Sequence, residues 1–342
     1  MKDRTEVTIY DIARKLNISP ATVSRGLNNH FSVSKKTQKQ ITDTAKSMGY
    51  RSNLFAKNLR RQKTRTLGVI VHTLNSNFIA SVLSGIESVA NKAGYNLIIS
   101  QSQESQEKEI LNVDTMFNRM VDGLIVSLAF DTTDVGHFDS FFEKNIPVVF
   151  FDRISFGKSS TNVVIDNFKA GYEVTTHLIS QGCKKIAHIT GSLTRNVYAD
   201  RMKGYQLALS ENNIPFDEQY VIVNNMDEQS AIEAAKKLIA MDRIPDGIFI
   251  ANDNSAAVCM QTLKDAGYSI PKDIAIVGFN NDIISRVVNP KISTVNYPGQ
   301  QMGETVANAL VNHLEGKANL DATSTIIIKS DLIIRESSLR KG

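Results

Sequence analysis

Apolar residues in the first 50 positions recur at helical spacing in three short segments, which polar turns separate. Thr8 with Asp11 three residues later predicts one helix start, because the hydroxyl and the carboxylate each reach a free amide of the first turn. Ser19 before Pro20 predicts a second start, since proline needs no amide partner at the first helical position. A third helix is expected from Ser34 to about residue 49. Two short helices joined by a tight turn and braced by a third predict a helix-turn-helix unit.

From residue 66 onward, short runs rich in β-branched residues alternate with amphipathic stretches of helix length. This alternation predicts parallel sheets covered by helices. The order also repeats, since the runs at 66–71, 94–99, 122–127 and 146–152 are matched by runs at 185–190, 219–224, 246–251 and 274–280. The sequence therefore predicts an α/β body made of two similar, doubly wound subdomains with parallel sheets.

These patterns divide the chain into three parts. We predict an all-α helix-turn-helix head at 1–50, a hinge and linker at 51–65, and an α/β body at 66–342. Within the body, one subdomain is expected at about 66–165 plus 295–325. The other is expected at about 166–294 plus 326–338.

Basic residues are concentrated in the head and the linker. Residues 1–65 hold 15 lysines and arginines and four acidic residues, a net charge of +11, whereas the remaining 24 basic and 31 acidic residues give the body −7. The net charge of +4 for the whole chain hides this contrast. A basic module on an acidic body predicts that the head binds an anionic polymer.

The composition argues against membrane and secreted proteins. The opening is polar, unlike a secretory leader, and no apolar run approaches the roughly 20 residues of a membrane-spanning helix. The two cysteines, Cys183 and Cys259, lack metal-site spacing and fit reduced thiols. We therefore expect a cytoplasmic, nucleoid-associated protein without a membrane partner.

Motifs of common enzymes are missing from the sequence. We find no GxSxG, HExxH, Walker or CxxC pattern and no GxGxxG at a strand-to-helix turn. We accordingly predict no enzymatic activity, no metal and no cofactor. The rival interpretation is a solute-binding protein without a DNA role, which would share a two-lobed body but leave the basic head unexplained.

The second helix is the candidate reader of DNA. An arginine at position 25 can donate two parallel hydrogen bonds to guanine in the major groove, worth roughly 1–3 kcal/mol of discrimination. A phosphate contact or a surface ion pair is the alternative role for Arg25.

The segment TIYDIARKLNISPATVSRGLNNHFSVSKKTQKQITDTAKSMGY at 8–50 resembles the head of the lac repressor and galactose repressor family. The TVSR core at 22–25 and the GY at 49–50 carry the resemblance, which continues along the whole chain. It implies base reading by the second helix, phosphate contacts around it, and a hinge helix that wedges a leucine into the minor groove. The DNA-binding residues that it implies are Thr8, Tyr10, Ser19, Pro20, Ala21, Thr22, Ser24, Arg25, Asn28, Tyr50, Asn53, Ala56 and Leu59.

Departures from the family pattern change the readout that we expect. Pro20 and Ala21 occupy the first two reading positions, so hydrogen-bonded readout is largely lost there and specificity should depend on Arg25 and on DNA shape. Leu59 matches the wedge of the hinge helix. Ser52 stands where the family usually has proline, which leaves the turn before the hinge less fixed, and a plain basic linker is the alternative.

The strands of two doubly wound lobes end at a common cleft, where loops can close on a small molecule. The body resembles the family's sensor core, which is akin to periplasmic sugar-binding proteins. Asn280 stands where Asp is frequent, which favours a neutral or weakly acidic sugar over a cationic ligand. For the acidic residues, helix capping is the alternative role. The effector-binding residues implied by the resemblance are Phe78, Ile79, Asp152, Arg195, Arg201, Met226, Asn252, Asp253 and Asn280.

Together these patterns predict a sequence-specific DNA-binding transcription regulator, with repression as the expected sign, whose operator affinity a small carbohydrate controls. A symmetric homodimer on a pseudo-palindromic operator is expected, since two heads on inverted half-sites multiply a modest single-head specificity. The identity of the effector, whether it is an inducer or a corepressor, the operator sequence and the regulated genes are left open by the sequence.

Overall fold

The computed structural model describes residues 7–50, 64–154, 161–320 and 325–340. Contacts divide the chain into two compact units, one ending at residue 63 and the other beginning at residue 64. Most of the predicted hinge, with the candidate DNA contacts Asn53, Ala56 and Leu59, lies outside the described residues.

The head consists of three helices: α1 (Ile9–Leu16), α2 (Pro20–Leu27) and α3 (Lys35–Ser47). One residue of each helix, Ile12, Val23 and Ile41, is fully buried at their common centre. The helix starts agree with the predicted capping residues, because the Ser19 hydroxyl accepts a hydrogen bond from the backbone amide of Thr22 at 3.1 Å. The predicted helix-turn-helix unit is therefore confirmed.

The first subdomain of the body holds a six-stranded parallel sheet. Its strands are β1 (Thr66–Val71), β2 (Asn96–Gln101), β3 (Gly123–Val126), β4 (Val148–Phe151), β5 (Thr161–Ile165) and β11 (Thr325–Ile328), in the spatial order β11-β5-β4-β3-β1-β2. Its helices are α4 (Asn77–Lys92), α5 (Gln106–Asn118), the short α6 (Asp139–Glu143) and α12 (Gly299–Leu314).

The second subdomain repeats this sheet. Its strands are β6 (Ile186–Thr190), β7 (Val221–Val223), β8 (Gly247–Ile250), β9 (Ala275–Asn280), β10 (Ser293–Asn296) and β12 (Leu332–Ile333), in the order β12-β10-β9-β8-β6-β7. Among the described strands of this sheet, β12 alone runs antiparallel to its neighbour. The helices are α7 (Asn167–Ser180), α8 (Asn196–Glu211), α9 (Glu228–Ile239), α10 (Asp253–Asp265) and the short α11 (Ile284–Val287).

The predicted repeat is confirmed by the sheet orders. Each of the four predicted pairs of runs forms strands at equivalent positions of the two sheets: β1 and β6, β2 and β7, β3 and β8, and β4 and β9. The strand order at the centre, 2-1-3-4-5, is that of a doubly wound fold whose ligands bind at the carboxyl ends of the strands.

Two subdomain boundaries differ from the prediction. The chain enters the second subdomain after β5, as predicted, but the predicted return at 294/295 falls inside β10, which pairs with β9. The predicted last crossing at 325/326 falls inside β11, which pairs with β5. The chain therefore returns near residue 297 and crosses again between 329 and 331, because strand pairing carries it further than the apolar pattern alone indicated.

Two helices of the second subdomain pack with their backbones in contact. A Cβ atom at Gly171 of α7 would lie 2.3 Å from the carbonyl oxygen of Arg201 in α8, and one at Gly204 would lie 2.1 Å from a carbonyl oxygen of α7. Gly85 and Gly303 allow the same close packing between α4 and α12. The glycines of α7 and α8 thereby fix the position of Arg201.

Candidate functional site

The head presents one exposed stripe on its second helix. Ala21, Arg25 and Asn28 are exposed and lie four and three residues apart, so they share a face, while Val23 is buried behind them. Among residues 7–50, no acidic side chain forms an ion pair with Arg25. This arrangement leaves the guanidinium group able to reach a base edge in a major groove.

The other candidate DNA contacts surround this stripe, and several are already bound within the head. The Thr8 hydroxyl donates to Asp11 at 2.7 Å, and the Asn28 side-chain amide donates to the carbonyl oxygen of Ser24 at 2.8 Å. Tyr10 is largely exposed, whereas Tyr50 packs partly against the apolar centre of the head. Thr8, Asn28 and Tyr50 are therefore held in place within the head, whereas the side chain of Tyr10 extends into solvent.

A cavity of about 190 Å³ lies between the two subdomains of the body, at the carboxyl ends of the strands. Six of the nine predicted effector residues line it: Phe78, Asp152, Arg201, Met226, Asn252 and Asn280. The structure does not bring Ile79, Arg195 and Asp253 into this lining.

Asp253 supports the cavity from behind. It is fully buried at the start of α10, and its carboxylate accepts a hydrogen bond from the Asp282 amide at 2.8 Å. Burial raises the pKa of this carboxyl to about 7. In this structure Asp253 holds the loop that follows β9, and its role as an effector contact stays a prediction.

Arg195 and Ile79 also have structural surroundings. The Arg195 guanidinium donates to the carbonyl oxygen of Thr132 in the other subdomain. Ile79 is fully buried in the apolar core beneath α4. Both residues are next to segments that line the cavity, which explains why their positions in the sequence suggested contact.

Several lining residues were not among the predicted effector contacts. Tyr198 lies three residues before Arg201, on the same face of α8, so helical spacing could have indicated it. His72 and Glu104 follow β1 and β2 and could have been found as residues at strand ends. The remaining lining residues missed by the prediction include Asn75, Phe130, Arg153, Asn225, Asn254, Asp282 and Tyr297.

Aromatic rings form two apolar walls of the cavity. Phe78 and Tyr297 stack with ring centroids 4.3 Å apart, and Phe130 and Tyr198 lie 5.7 Å apart. Flat ring faces of this kind suit the carbon–hydrogen faces of a small cyclic ligand. The walls thus supply apolar contact, while polar groups elsewhere in the lining set orientation.

Two buried arginines, beside acidic residues of the same lining, bring positive charge to the cavity. Arg153 donates to both carboxylate oxygens of Glu104, at 2.7 and 3.0 Å. Arg201 donates from Nε to the side chain of Asn167 at 2.8 Å, and its guanidinium carbon lies 3.5 Å from the centre of the Phe279 ring. Arg201 is therefore fixed as a flat donor at the cavity wall.

Asp152 and His72 are two further polar residues of the cavity lining. The Tyr297 hydroxyl donates to Asp152 at 2.5 Å. Burial raises the pKa of Asp152, although the positive charge of Arg153 and the bond from Tyr297 oppose the rise. Burial, together with Arg153, holds the pKa of His72 well below its usual range, so this imidazole is neutral at pH 7.

The loop after β9 is held in an uncommon backbone conformation. Asn280 and Asn281 have φ values of 107° and 59°, in the region that favours glycine. The Arg335 guanidinium donates to the Asn281 side chain at 2.7 Å, and the Asn281 amide donates to Thr294 at 3.1 Å. These bonds fix the loop that carries the cavity-lining side chain of Asn280.

Two other kinds of feature are absent from the described residues. No group of three or more His, Cys, Asp or Glu side chains there could hold a metal ion. No helix there is both long enough and apolar enough to cross a bilayer.

Family models match both units of the chain. Residues 8–53 match the model for bacterial regulatory proteins of the lacI family, and residues 175–338 match a periplasmic binding protein-like domain. The first match covers the three-helix head, and the second lies within the two-lobed body.

Two curated relatives align along nearly the whole chain. The catabolite control protein A of Priestia megaterium is 34% identical over 93% of this chain and 95% of its own length. The HTH-type transcriptional repressor PurR of Histophilus somni (strain 129Pt) is 27% identical over 96% of this chain and 98% of its own. The first is named as a control protein and the second as a transcriptional repressor.

Solved structures share the fold. The lac repressor dimer bound to operator and the anti-inducer ONPF has a TM-score of 0.85 at 22% identity. The match covers 98% of this chain and 100% of that one. A periplasmic binding protein/LacI transcriptional regulator from Alkaliphilus metalliredigens QYMF, complexed with D-xylulofuranose, has a TM-score of 0.70 at 27% identity over 81% of this chain and 100% of that one.

The helix-turn-helix head, the cavity between two doubly wound lobes and the similarity to the catabolite control protein over 93% of the chain point to one conclusion. This chain belongs to the lacI family of bacterial regulatory proteins and is a DNA-binding transcription regulator with a small-molecule-binding body.

Proposed function

We propose that this regulator is a repressor whose operator affinity is controlled by a neutral sugar bound in the cavity between the lobes. The observation that carries the proposal is the cavity lining, in which five asparagine side chains accompany two aromatic walls: Asn75, Asn225, Asn252, Asn254 and Asn280. Amide groups both donate and accept hydrogen bonds without charge, as sugar hydroxyls require. The D-xylulofuranose complex of the Alkaliphilus regulator supports this ligand class.

A thermal-shift screen of sugars and their phosphates tests the effector class. A ligand that binds only the folded body stabilises it by about 2.7 kcal/mol at a concentration 100 times Kd. We expect the melting temperature to rise with at least one neutral sugar and to rise less with its phosphate. Stabilisation confined to amines, purines or phosphates would contradict the proposal.

Operator reading is proposed for α2, with Arg25 as its main base contact. Arg25→Ala should lower affinity for the operator by about 10- to 100-fold, since a bidentate arginine–guanine contact is worth about 1–3 kcal/mol. Arg14→Ala, which also removes one exposed positive charge from the head, is the matched control. Fluorescence anisotropy on operator and scrambled duplexes measures the difference.

The comparison of the two duplexes separates base contact from phosphate contact. Loss of a base contact weakens operator binding much more than binding to the scrambled duplex. An equal loss on both, with a salt dependence reduced by about one phosphate, would instead assign Arg25 to the DNA backbone. The remaining contacts, including those of Asn53, Ala56 and Leu59 in the hinge, stay proposals by resemblance.

We also propose a homodimer on a pseudo-palindromic operator. Support comes from apolar residues exposed together at the β2 edge of the first subdomain: Ile99 is 43% exposed and Leu111 on the adjacent α5 is 60% exposed. Leu74 is also exposed beside them, with its amide bonded to the side chain of Gln101 at 2.9 Å. Such a patch on an edge strand is typical of a subunit interface.

The regulator is proposed to act in the cytoplasm, with the nucleoid, and to have no enzymatic activity. Its curated relatives are named as regulators. The solute-binding alternative would use the same cavity but would give no role to a head with an exposed stripe of candidate reader side chains. Operator binding by the whole protein separates the two.

A further inference from the structure

One side chain connects the two subdomains beside the cavity. Asn196 is the first residue of α8 in the second subdomain, and both ends of its amide reach the first subdomain. Its oxygen accepts from the Ile154 backbone amide at 3.0 Å, and its nitrogen donates to the carbonyl oxygen of Asp152 at 2.9 Å. The two bonds enclose Arg153 between them.

The two residues before Asn196 make bonds of the same kind. The Thr194 hydroxyl donates to the carbonyl oxygen of Phe130 at 3.3 Å, and Arg195 donates to that of Thr132. Three consecutive side chains thus bind main-chain groups across the cleft. Because main-chain groups are their targets, these bonds depend on where the opposite loops lie and not on which side chains the loops carry.

The segment to which Asn196 is hydrogen-bonded, Asp152–Ile154, has a strained backbone. Asp152 has a φ of 58°, a left-handed conformation that is costly for residues other than glycine and that persists only where the surroundings hold it. Asp152 and Arg153 both line the cavity. The backbone that orients these two charged side chains is therefore held by hydrogen bonds from the opposite subdomain.

We infer that Asn196 is a positioning residue of the effector site, which fixes Asp152 and Arg153 for the ligand only while the two subdomains are closed on each other. The inference rests on the proposed function in one respect, namely that the cavity holds the effector. Opening the cleft would break both hydrogen bonds of Asn196 and release the Asp152–Ile154 segment. Asp152 and Arg153 are therefore held in position only in the closed state.

The test needs no effector and uses the full chain. Hydrogen exchange followed by mass spectrometry measures the protection of the Ile154 amide, and carbon NMR of labelled aspartate measures the carboxyl pKa of Asp152. The variants are Asn196→Ala, Asn196→Asp and, as a matched control, Asn212→Ala. Asn212 lies at the other end of α8 and donates to the carbonyl oxygen of Ala208 at 2.8 Å within the same subdomain.

We expect Asn196→Ala to speed exchange at Ile154 by about tenfold, the factor that corresponds to one lost hydrogen bond. Hydration of the loosened segment should lower the pKa of Asp152 towards its ordinary value, since burial is what raises it. Asn196→Asp keeps the acceptor and should preserve the protection of Ile154, whereas its added negative charge should keep the pKa of Asp152 raised by like-charge repulsion. It also serves if the alanine variant does not fold.

Unchanged exchange at Ile154 and an unchanged pKa of Asp152 in Asn196→Ala would overturn the inference. Equal changes in Asn212→Ala would do the same, because they would show a general loosening of α8. A failed sugar screen would contradict the proposed ligand class but would leave these two measurements as they are, so the two failures are distinguishable.

Discussion

Gly171→Ala is expected to destabilise the body by about 3 kcal/mol, the upper end of the usual cost of overpacking a tight contact. The new Cβ would lie 2.3 Å from the carbonyl oxygen and 2.8 Å from the Cα atom of Arg201. Both are main-chain atoms of a helix and cannot rotate away, so α7 and α8 must separate. Urea denaturation of the protein measures the loss as a lower midpoint at an unchanged slope.

Gly123→Ala is the control for the chemistry of the substitution. Its Cβ would lie 2.8 Å from a terminal methyl carbon of Leu310, a flexible side chain that can move aside. We therefore expect a smaller loss than at Gly171. Equal losses at the two sites would mean that close backbone packing does not distinguish Gly171.

Arg201→Lys is expected to weaken binding of the sugar found by the thermal-shift screen by about 100-fold, or about 2.7 kcal/mol. Lysine keeps the positive charge but lacks the planar fork. The bonds to the Asn167 side chain at 2.8 Å and to the carbonyl oxygen of Ala251 at 3.2 Å would both be lost, together with the stacking on Phe279. Isothermal titration calorimetry measures the affinity.

Operator binding without the sugar should survive this substitution, because Arg201 belongs to the body and not to the head. Lys203→Ala, two residues along the same helix and largely exposed, is the control and should bind the sugar normally. Wild-type sugar affinity in Arg201→Lys would remove the guanidinium group from the site.

The architecture followed from the sequence because its determinants are local or repetitive. Capping residues such as Ser19 indicate helix starts, and the repeated β-rich runs predict two equivalent sheets. The boundaries at 294/295 and 325/326 were less accessible, since β10 and β11 are defined by the strands with which they pair and not by their own composition. Strand pairing over long sequence distances leaves little trace in a local pattern.

The cavity was predicted only in part, for a related reason. Arg201 and Asp152 lie in segments whose resemblance to the family is strong. Tyr297 and Phe130 enter the lining because two subdomains meet there, which no spacing within a segment reports. Asp253 shows the opposite case, in which an acid at a strand end lies behind the cavity lining and supports a loop. Residue type and position cannot separate these roles without the packing.

The glycine contacts between paired helices have a mechanical consequence. Gly85 lies against α12 and Gly171 lies against α8, so the main helix pair of each subdomain is tightly packed. We expect each subdomain to move as a rigid body. We expect relative motion of the two subdomains to be confined to the three segments that connect them, near residues 166, 297 and 330. We therefore expect a small rotation at the cavity to reach the outer ends of the helices with little loss.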